Sequence, residues 1–342
     1  MDLSLTEDQQ TVTDLFDSFF ANECSGEFVR ETEPLGHDEA LWGKLIEMGV
    51  VSMGLPENDG GGGLALLDLA LVAEVFGKSV APVPLLESVS AARLLAAVGP
   101  AGADLLTAVV DGATPTLSLR PAVDGVARLV PGGAIAEIVV GLDGDELVAV
   151  TQAVGERPPA VKNLGSGPIA HVDLAGPTRQ VLATGAAAVQ LHATALLEWK
   201  ALTASALVGL GREALRIGLQ YVMERFQFGV PIGSFQSVQH RLADDATLID
   251  ASGLLARKAA WSVDEGELDA EALVGQGFVF ASEGAQKTAG DCLHFHGGYG
   301  FMLEYDIQLY YRRAKAWSII WDDPRRELAR VADALYGPVG AA

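Results

Sequence analysis

Cysteine is scarce in this 342-residue chain, which has only Cys24 and Cys292. Two widely separated cysteines do not form a disulfide framework. Basic residues are also few, since 23 Lys and Arg stand against 45 Asp and Glu, for a formal net charge of −22. A surface of that sign repels phosphate backbones and anionic lipid headgroups, so we expect no binding to nucleic acid or to a membrane surface. A few arginines can still hold an anionic cofactor locally.

The sequence also lacks a long apolar run. Its longest uncharged stretch, residues 180–197, contains Thr, Gly, Gln and His, which favours a buried or interfacial helix over a membrane span. Residues 1–8 are acidic and lack the basic and then apolar pattern of a signal peptide. We therefore expect a cytoplasmic protein. A content of 49% hydrophobic residues is typical of a globular chain with a large hydrophobic core. The length of the chain predicts two or three domains.

Three consecutive segments differ in their patterning. Residues 1–113 have apolar residues at helical spacing, residues 114–186 contain short β-prone runs between Gly and Pro turns, and residues 187–342 are again helical. These patterns predict an α+β fold, mostly α: an N-terminal helical domain, an abbreviated middle β-domain of five or six strands, and a C-terminal four-helix bundle.

Several helix boundaries are predicted within this plan. Ser4 and Glu7 have the spacing of a capping box at the start of the first helix. Four glycines, Gly60–Gly63, precede the third helix, but no Lys-Ser/Thr follows them, so we expect an interhelical turn rather than a phosphate loop. Gly337 and Pro338 are predicted to end the last helix. The predicted helices are Glu39–Met48, Leu64–Phe76, Leu196–Arg225, Gln236–Val263 and Asp269–Phe295.

The segment from Arg225 to Gln236 lies between two of the predicted long helices. It presents an arginine, a glutamine and loop backbone amides just before a helix begins, a combination that favours a negatively charged ligand. An exposed helix connection is the alternative interpretation.

A second segment runs from Asp291 to Phe301. Cys292, His294 and His296 could bind a metal, but zinc needs three or four ligands and the chain has no second Cys/His cluster. Gly297 and Gly298 instead indicate a backbone that a ligand can approach closely, beside an imidazole. A local basic cluster in the segment from Arg312 to Lys315 is predicted to be a solvated helix face.

Taken in order, these segments resemble the acyl-CoA dehydrogenase family over nearly the whole chain. The resemblance implies an enzyme that uses FAD to oxidise an acyl-CoA thioester to its 2-enoyl form, with a carboxylate as the base that removes the α-proton. It also implies a set of FAD-binding residues. The matching positions are Trp42, Leu45, Gly49, Leu55, Pro56, Glu57, Gly60 and Gly61, then Arg225, Phe228, Gly229, Ile232, Phe235 and Gln236, and His296 to Phe301. The implied cofactor-binding residues are Arg225, Gln227, Phe228, Ile232, Gln236, His294, Gly297 and Gly298.

The sequence departs from the family where the base is expected. The commonest base position is occupied by Trp321, whose indole cannot accept a proton, and Asp322 is one residue away. The base position that some relatives use falls on Trp199, with Glu198 one residue before it. One residue on a helix is a rotation of about 100°, so Glu198 is predicted to be a solvated carboxylate unless the register shifts.

The β-domain is also short. The family's Thr-Glu-Pro, Gly-Ser-Asp and Trp-(Ile/Ser)-Thr segments, which hold the flavin ring, are absent between Thr114 and Ala187. The retained segments are those with which relatives reach a neighbour's FAD. This combination resembles the short subunit of heteromeric acyl-CoA dehydrogenases of actinobacterial steroid and lipid breakdown. It implies an α2β2 assembly with a full-length partner that supplies the base, and an acceptor of the electron-transfer flavoprotein type.

Two alternatives remain open. The chain could be a self-sufficient homo-oligomeric enzyme with Glu198 or Asp322 as its base, or a structural relative without a cofactor. The sequence does not identify the acyl group, because an apolar lining does not distinguish a branched chain from a steroid side chain.

Overall fold

The computed structural model describes residues 4–337 and is mostly helical, with one group of strands in the middle of the chain. The helices are α1 (Glu7–Glu23), α2 (Gly26–Glu31), α3 (Glu39–Glu47), α4 (Leu66–Ser79), α5 (Leu85–Val98), α6 (Ala103–Val110), α7 (Gly185–Glu224), α8 (Gln236–Asp264), α9 (Ala270–His296), α10 (Ile307–Ile319) and α11 (Pro324–Tyr336). The strands are β1 (Pro115–Leu117), β2 (Val126–Val130), β3 (Ile138–Asp143), β4 (Glu146–Thr151), β5 (Ala170–Asp173), β6 (Gln180–Thr184), β7 (Phe226–Gln227) and β8 (Val230–Pro231).

The chain divides into two compact units. One unit contains residues 1–31, 70–81 and 200–342, and the other contains residues 32–69 and 82–199. The long helix α7 contributes its first part to the second unit and the rest to the first. The division into the consecutive segments 1–113, 114–186 and 187–342 stays a prediction.

The strands of the second unit form a four-stranded sheet and a separate pair. The sheet has the order β1-β3-β4-β6, in which β1 runs parallel to β3 and the other pairs are antiparallel. A two-residue loop of Gly144 and Asp145 joins β3 to β4, and the positive φ of Gly144, 63°, fits a type II′ hairpin turn. Apolar side chains of both sets of strands, including Val139, Val148 and Val172, form one buried cluster.

The long helices of the first unit pack through small residues. A Cβ added to Gly277 of α9 would lie 3.4 Å from Ala259 of α8, and one added to Gly284 would lie 3.0 Å from the Ser252 hydroxyl. Glycine and alanine at these positions let the two helix backbones approach closely. The helical bundle predicted from sequence is therefore present in the region of α7 to α10.

Two sequence-based predictions about local structure are wrong in detail. The capping box of α1 is made by Thr6 and Gln9, whose side chains bond each other's backbone N–H, rather than by Ser4 and Glu7. In the basic cluster, Arg313 is buried at 3% exposure rather than solvated. The last helix ends at Gly337 (φ 80°) as predicted, whereas Pro338 lies outside the described residues.

One stretch of the described chain, Leu85–Val110, is long and apolar enough to cross a membrane by length and composition. In the structure it comprises α5 and α6, separated by a short 3-10 helix, Gly99–Gly102. Most of the α5 side chains are buried, which is the ordinary reason for such an apolar helix.

Candidate functional site

The segment after α7 forms a β-hairpin with a strained tip. Phe226 pairs with Pro231, and Gln227 pairs with Val230. The tip residues Phe228 and Gly229 have φ angles of 54° and 83°, which hairpins with two-residue loops of type I′ require. Such a conformation is unfavourable for an aromatic residue, yet Phe228 is 93% exposed, and its ring meets that of Phe235 edge to face with ring centres 6.2 Å apart. Local strain with an exposed aromatic side chain is typical of a binding segment.

A cavity of about 560 Å³ lies between this hairpin and the end of α9. Its volume is within the ~300–1,000 Å³ that small-molecule and cofactor sites occupy. The lining residues are Tyr221, Arg225, Gln227, Ile232, Phe295, His296, Gly297, Gly298, Tyr299 and Met302.

Aromatic rings and one guanidinium organise this cavity. The Arg225 guanidinium carbon lies 5.7 Å from the centre of the Tyr299 ring, a cation–π distance. The His296 ring stacks on Tyr221, with ring centres 3.9 Å apart. His296 Nδ1 lies 2.7 Å from the Cys292 carbonyl oxygen, which can only accept, so Nδ1 donates. Burial lowers the pKa of His296, and this effect outweighs the hydrogen bond to the Cys292 carbonyl, which acts to raise the pKa. The neutral form of the imidazole is therefore favoured at pH 7.

Two glycines leave one wall of the cavity open. A Cβ added to Gly297 or to Gly298 would have no atom within 4 Å, and both backbones are exposed beside the cavity. An elongated anion can therefore reach this backbone while Arg225 supplies the positive charge. The residues present fit the phosphate-bearing part of a dinucleotide, and the exposed aromatic rings offer stacking surfaces for its base.

Five of the eight predicted cofactor-binding residues line this one cavity. They are Arg225, Gln227, Ile232, Gly297 and Gly298. Phe228 lies at the hairpin tip and Gln236 begins α8, and neither belongs to the lining.

The histidine in the lining is His296 and not His294, which is exposed on α9. Two residues along a helix correspond to about 200° of rotation, so the two imidazoles point to nearly opposite sides. Tyr221 was also missed from the sequence, although it lies only four residues before Arg225, whose backbone N–H donates to the Tyr221 carbonyl at 2.9 Å. Among residues 4–337, no group of three or more His, Cys, Asp or Glu side chains is placed to hold a metal ion.

Trp321, at the position predicted to correspond to the family's common base, lies near two cations. Trp321 Nε1 donates to Glu327 Oε2 at 3.3 Å. The Lys200 ammonium lies 5.4 Å from the Trp321 ring centre, and the Arg330 guanidinium carbon lies 5.1 Å from it. This ring is fixed by polar partners and offers no atom that can accept a proton.

An ion-pair network holds the carboxylates around Trp321. Lys200 Nζ lies 2.5 Å from Glu327, and Arg330 contacts both Glu327 at 2.9 Å and Asp322 at 2.5 Å. Burial works to raise the pKa of Asp322, but the bonds from Arg330 and the Asp323 backbone N–H outweigh it and hold that pKa below its ordinary value. A carboxylate with a lowered pKa is a weaker base, so this candidate is poorly suited to remove a proton.

The other candidate base, Glu198, is buried and paired rather than solvated as predicted. Arg93 Nε and Nη2 bond its two oxygens at 2.8 and 2.9 Å, and Arg93 Nη1 donates to the Gly54 carbonyl at 2.8 Å. This bidentate geometry is the strong form of an arginine–carboxylate pair. Trp199, at the family's alternative base position, is 1% exposed and cannot act as a base.

Comparison with known proteins identifies the family to which this chain belongs. The family model "Acyl-CoA dehydrogenase, N-terminal domain" matches residues 6–102, and "Acyl-CoA dehydrogenase, C-terminal domain" matches residues 189–321. Among curated proteins, the acyl-CoA dehydrogenase FadE27 of Mycobacterium tuberculosis is 30% identical over 98% of this chain and 99% of the relative. The acyl-CoA dehydrogenase IpdE2 of the same organism is 28% identical over 96% of this chain and 98% of its own.

Solved structures of other proteins match this chain in both fold and length. A chain of the ChsE4-ChsE5 complex from Mycobacterium tuberculosis matches with a TM-score of 0.83 and 27% identity over 98% of this chain and 99% of that one. A chain of the Tcur3481-Tcur3483 steroid ACAD variant matches with a TM-score of 0.84 and 27% identity over 96% and 98%. The resemblance and the fold class inferred from sequence are thereby confirmed. This chain belongs to the acyl-CoA dehydrogenase family.

Proposed function

We propose that this chain is the subunit without a catalytic base in a heteromeric, FAD-dependent acyl-CoA dehydrogenase. The observation that carries the proposal is Trp321, which occupies the common base position and is held there by Glu327, Lys200 and Arg330. The nearby carboxylates Asp322 and Glu198 are each engaged by arginine. Neither of the two candidate carboxylates is therefore well suited to accept the α-proton.

The chain's contribution is to hold the distal half of FAD. Arg225 provides a charge-assisted hydrogen bond to the diphosphate, and Gly297 and Gly298 allow the backbone to approach it. Tyr221, His296 and Tyr299 offer ring faces beside the cavity. Because His296 is neutral, Arg225 carries the positive charge at the cavity wall. When bound, FAD accepts the hydride in the oxidation of the thioester.

The partner subunit, a full-length member of the family, supplies the base and the pocket of the flavin ring. This division of labour is supported by the absence of the three flavin-ring segments between residues 114 and 187. It is also supported by two relatives of solved structure that are named as two-component assemblies, the ChsE4-ChsE5 complex and the Tcur3481-Tcur3483 steroid ACAD. We infer an α2β2 assembly in the cytoplasm, reoxidised by an electron-transfer flavoprotein-type acceptor.

The proposed reaction is oxidation of an acyl-CoA to its 2-enoyl-CoA. The acyl group is proposed to be a steroid side chain or another branched chain, because one relative of solved structure is a steroid ACAD. A self-sufficient enzyme with Glu198 or Asp322 as base, and a relative without a cofactor, are the alternatives that an experiment must separate.

The test is co-expression of this chain with a full-length family member from the same genome. Light scattering and bound-flavin absorbance then give the mass and the FAD content of the assembly. We expect an α2β2 mass with FAD, and little flavin on this chain alone. A stable homo-oligomer with stoichiometric FAD supports the self-sufficient enzyme, and an assembly whose flavin content is unchanged by Arg225→Ala supports a purely structural role.

A further inference from the structure

A small cavity with cationic walls lies beside the crossing of α4 and α7, within the unit of residues 1–31, 70–81 and 200–342. Its volume is about 90 Å³, and it shares no lining residue with the cavity beside Arg225. The lining residues are Leu5, Thr13, Leu71, Glu74, Val75, Lys78, Gly209, Arg212 and Arg257.

The crossing of α4 and α7 is tight, and this fixes the walls of the cavity. A Cβ added to Gly209 of α7 would overlap the Glu74 carbonyl oxygen, and one added to Gly77 of α4 would overlap the Ala206 carbonyl oxygen. Each helix therefore meets the backbone of the other through a glycine. Because the two backbones are in contact, the side chains that flank the crossing have little room to rearrange.

One carboxylate serves two guanidinium groups at this cavity. Arg212 Nε lies 3.1 Å from Glu74 Oε1, and Arg257 Nη2 lies 3.5 Å from Glu74 Oε2. The Glu74 side chain is only 16% exposed. Two guanidinium groups and one carboxylate leave this wall with one uncompensated positive charge.

Other charged groups lie toward the solvent. The Lys78 ammonium bonds Asp17 at 2.6 Å, and both side chains are more than 40% exposed. Asp250, whose side chain is 73% exposed, approaches Arg212 Nη2 to 3.6 Å. Neither aspartate lines the cavity, and water and salt weaken the effect of such exposed charges.

The guanidinium group of Arg257 is poorly satisfied for a side chain that is only 22% exposed. It has five N–H donors, yet its contact with Glu74 is long at 3.5 Å. Its Nε is shielded from solvent and has no hydrogen-bond partner within residues 4–337. A buried charged donor without a partner is costly, so an acceptor inside the cavity would stabilise it.

The rest of the lining is mainly apolar. Leu71 and Val75 of α4 are buried, and Leu5 is half-buried. A hydrated inorganic anion gains nothing from such walls, whereas the hydrocarbon part of an organic acid does. The volume corresponds to about three liquid waters at ~30 Å³ each, far below the ~300–1,000 Å³ of nucleotide-sized pockets. These limits favour an anion with a very short hydrocarbon chain.

We propose that this cavity binds a small monocarboxylate, whose oxygens accept from Arg212 and Arg257 while its hydrocarbon part contacts the apolar lining. The bound carboxylate supplies the acceptor that Arg257 Nε lacks. It also brings the cluster of two guanidinium groups and two carboxylates to zero net charge. The site is separate from the candidate FAD cavity, so it does not depend on the proposed function.

The test is calorimetric titration of the full chain with sodium propionate, at a constant ionic strength set with sodium chloride. We expect saturable binding of one propionate per chain. Propan-1-ol, which has the same number of carbons without the charge, should bind at least tenfold more weakly. Absence of saturable propionate binding would show that water or chloride satisfies Arg257, and it overturns the proposal. Equal binding of propan-1-ol also overturns it.

A first pair of variants tests the charge. Arg257→Met removes the guanidinium group and should weaken propionate binding at least tenfold. Arg241→Met, on the same helix, removes a half-exposed arginine that pairs with Asp291 outside the lining, and it should change the affinity less than twofold.

A second pair tests the space. Thr13→Phe fills the cavity from α1 and should also weaken propionate binding at least tenfold. Thr11→Phe is its control, because Thr11 likewise donates to the carbonyl four residues earlier but lies outside the lining. Circular dichroism checks that each variant folds, and the second pair decides the matter if Arg257→Met does not fold. Equal effects within a folded pair overturn the proposal.

Discussion

Trp321 donates its indole N–H to Oε2 of Glu327 across 3.3 Å, and this bond helps to fix an aromatic ring that the sequence predicts to replace the family's common base. The ring also lies within 5.4 Å of the Lys200 ammonium and 5.1 Å of the Arg330 guanidinium carbon. The Trp321 ring is thus part of a network of polar and cation–π contacts.

We predict that this network contributes to stability. Trp321→Phe removes one hydrogen bond and should lower the free energy of unfolding by about 1 kcal/mol. Trp321→Ala also removes packing and the cation–π contacts and should cost about 2–3 kcal/mol, below the cost for a fully buried Trp. Urea denaturation followed by circular dichroism measures both values, and equal effects of the two variants would contradict a role for the ring.

The buried pair of Lys200 and Glu327 gives a second prediction. Lys200→Ala leaves the Glu327 carboxylate with reduced compensation and should cost about 3 kcal/mol of unfolding free energy. Replacing both residues with apolar ones, Lys200→Met with Glu327→Leu, should recover only part of that loss, because Glu327 also accepts from Trp321 and pairs with Arg330. A double variant as unstable as Lys200→Ala would show that the pair itself stabilises the fold.

The cavity beside Arg225 gives a third prediction. Arg225→Ala removes a charge-assisted hydrogen bond worth about 1.5–3 kcal/mol, so FAD should dissociate from the assembly about 10- to 100-fold more readily. The matched control is Arg216→Ala in α7, which removes bonds to Glu213 and Gln220 and lies outside the cavity lining. Flavin fluorescence during dilution measures the affinity, and an equal effect of both variants would exclude a specific role for Arg225.

Glu87 in the first turn of α5 gives a prediction about pH. Burial raises the pKa of its carboxyl from the ordinary 4.5 to about 7. Between these values the folded state binds more protons than the unfolded state, so this group makes the free energy of unfolding fall as pH rises from about 4.5 to 7. Glu87→Gln should remove that slope. Thermal denaturation across pH 4 to 8 measures this slope. The same slope in Glu87→Gln would contradict a raised pKa of the Glu87 carboxyl.

Much of the fold follows from patterns that the sequence displays. The apolar spacing and small residues of the bundle helices, and the Gly144 turn between β3 and β4, predict structure because each depends on local geometry. The N-cap of α1 is harder to predict, because both Ser4-Glu7 and Thr6-Gln9 have the spacing of a capping box. The structure begins the helix at Glu7, which leaves Thr6 as the N-cap, with Phe16 and Phe20 on the buried face.

The sequence predicted only those residues of the candidate site that lie in recognisable segments of the chain. Arg225, Gly297 and Gly298 lie in recognisable segments, whereas the choice between His294 and His296 depends on which side of α9 faces the hairpin. The pairing of Glu198 with Arg93 spans 105 residues, so no local pattern indicates it. Long-range pairs of this kind require the folded structure.

Turnover by this chain alone tests the central claim most directly. The chain is purified without a partner, supplied with excess FAD, and assayed with branched and steroid acyl-CoA thioesters and an artificial electron acceptor. The account predicts no 2-enoyl-CoA above background, and turnover once the full-length partner is added. Stoichiometric FAD with product formation by the isolated chain would contradict it.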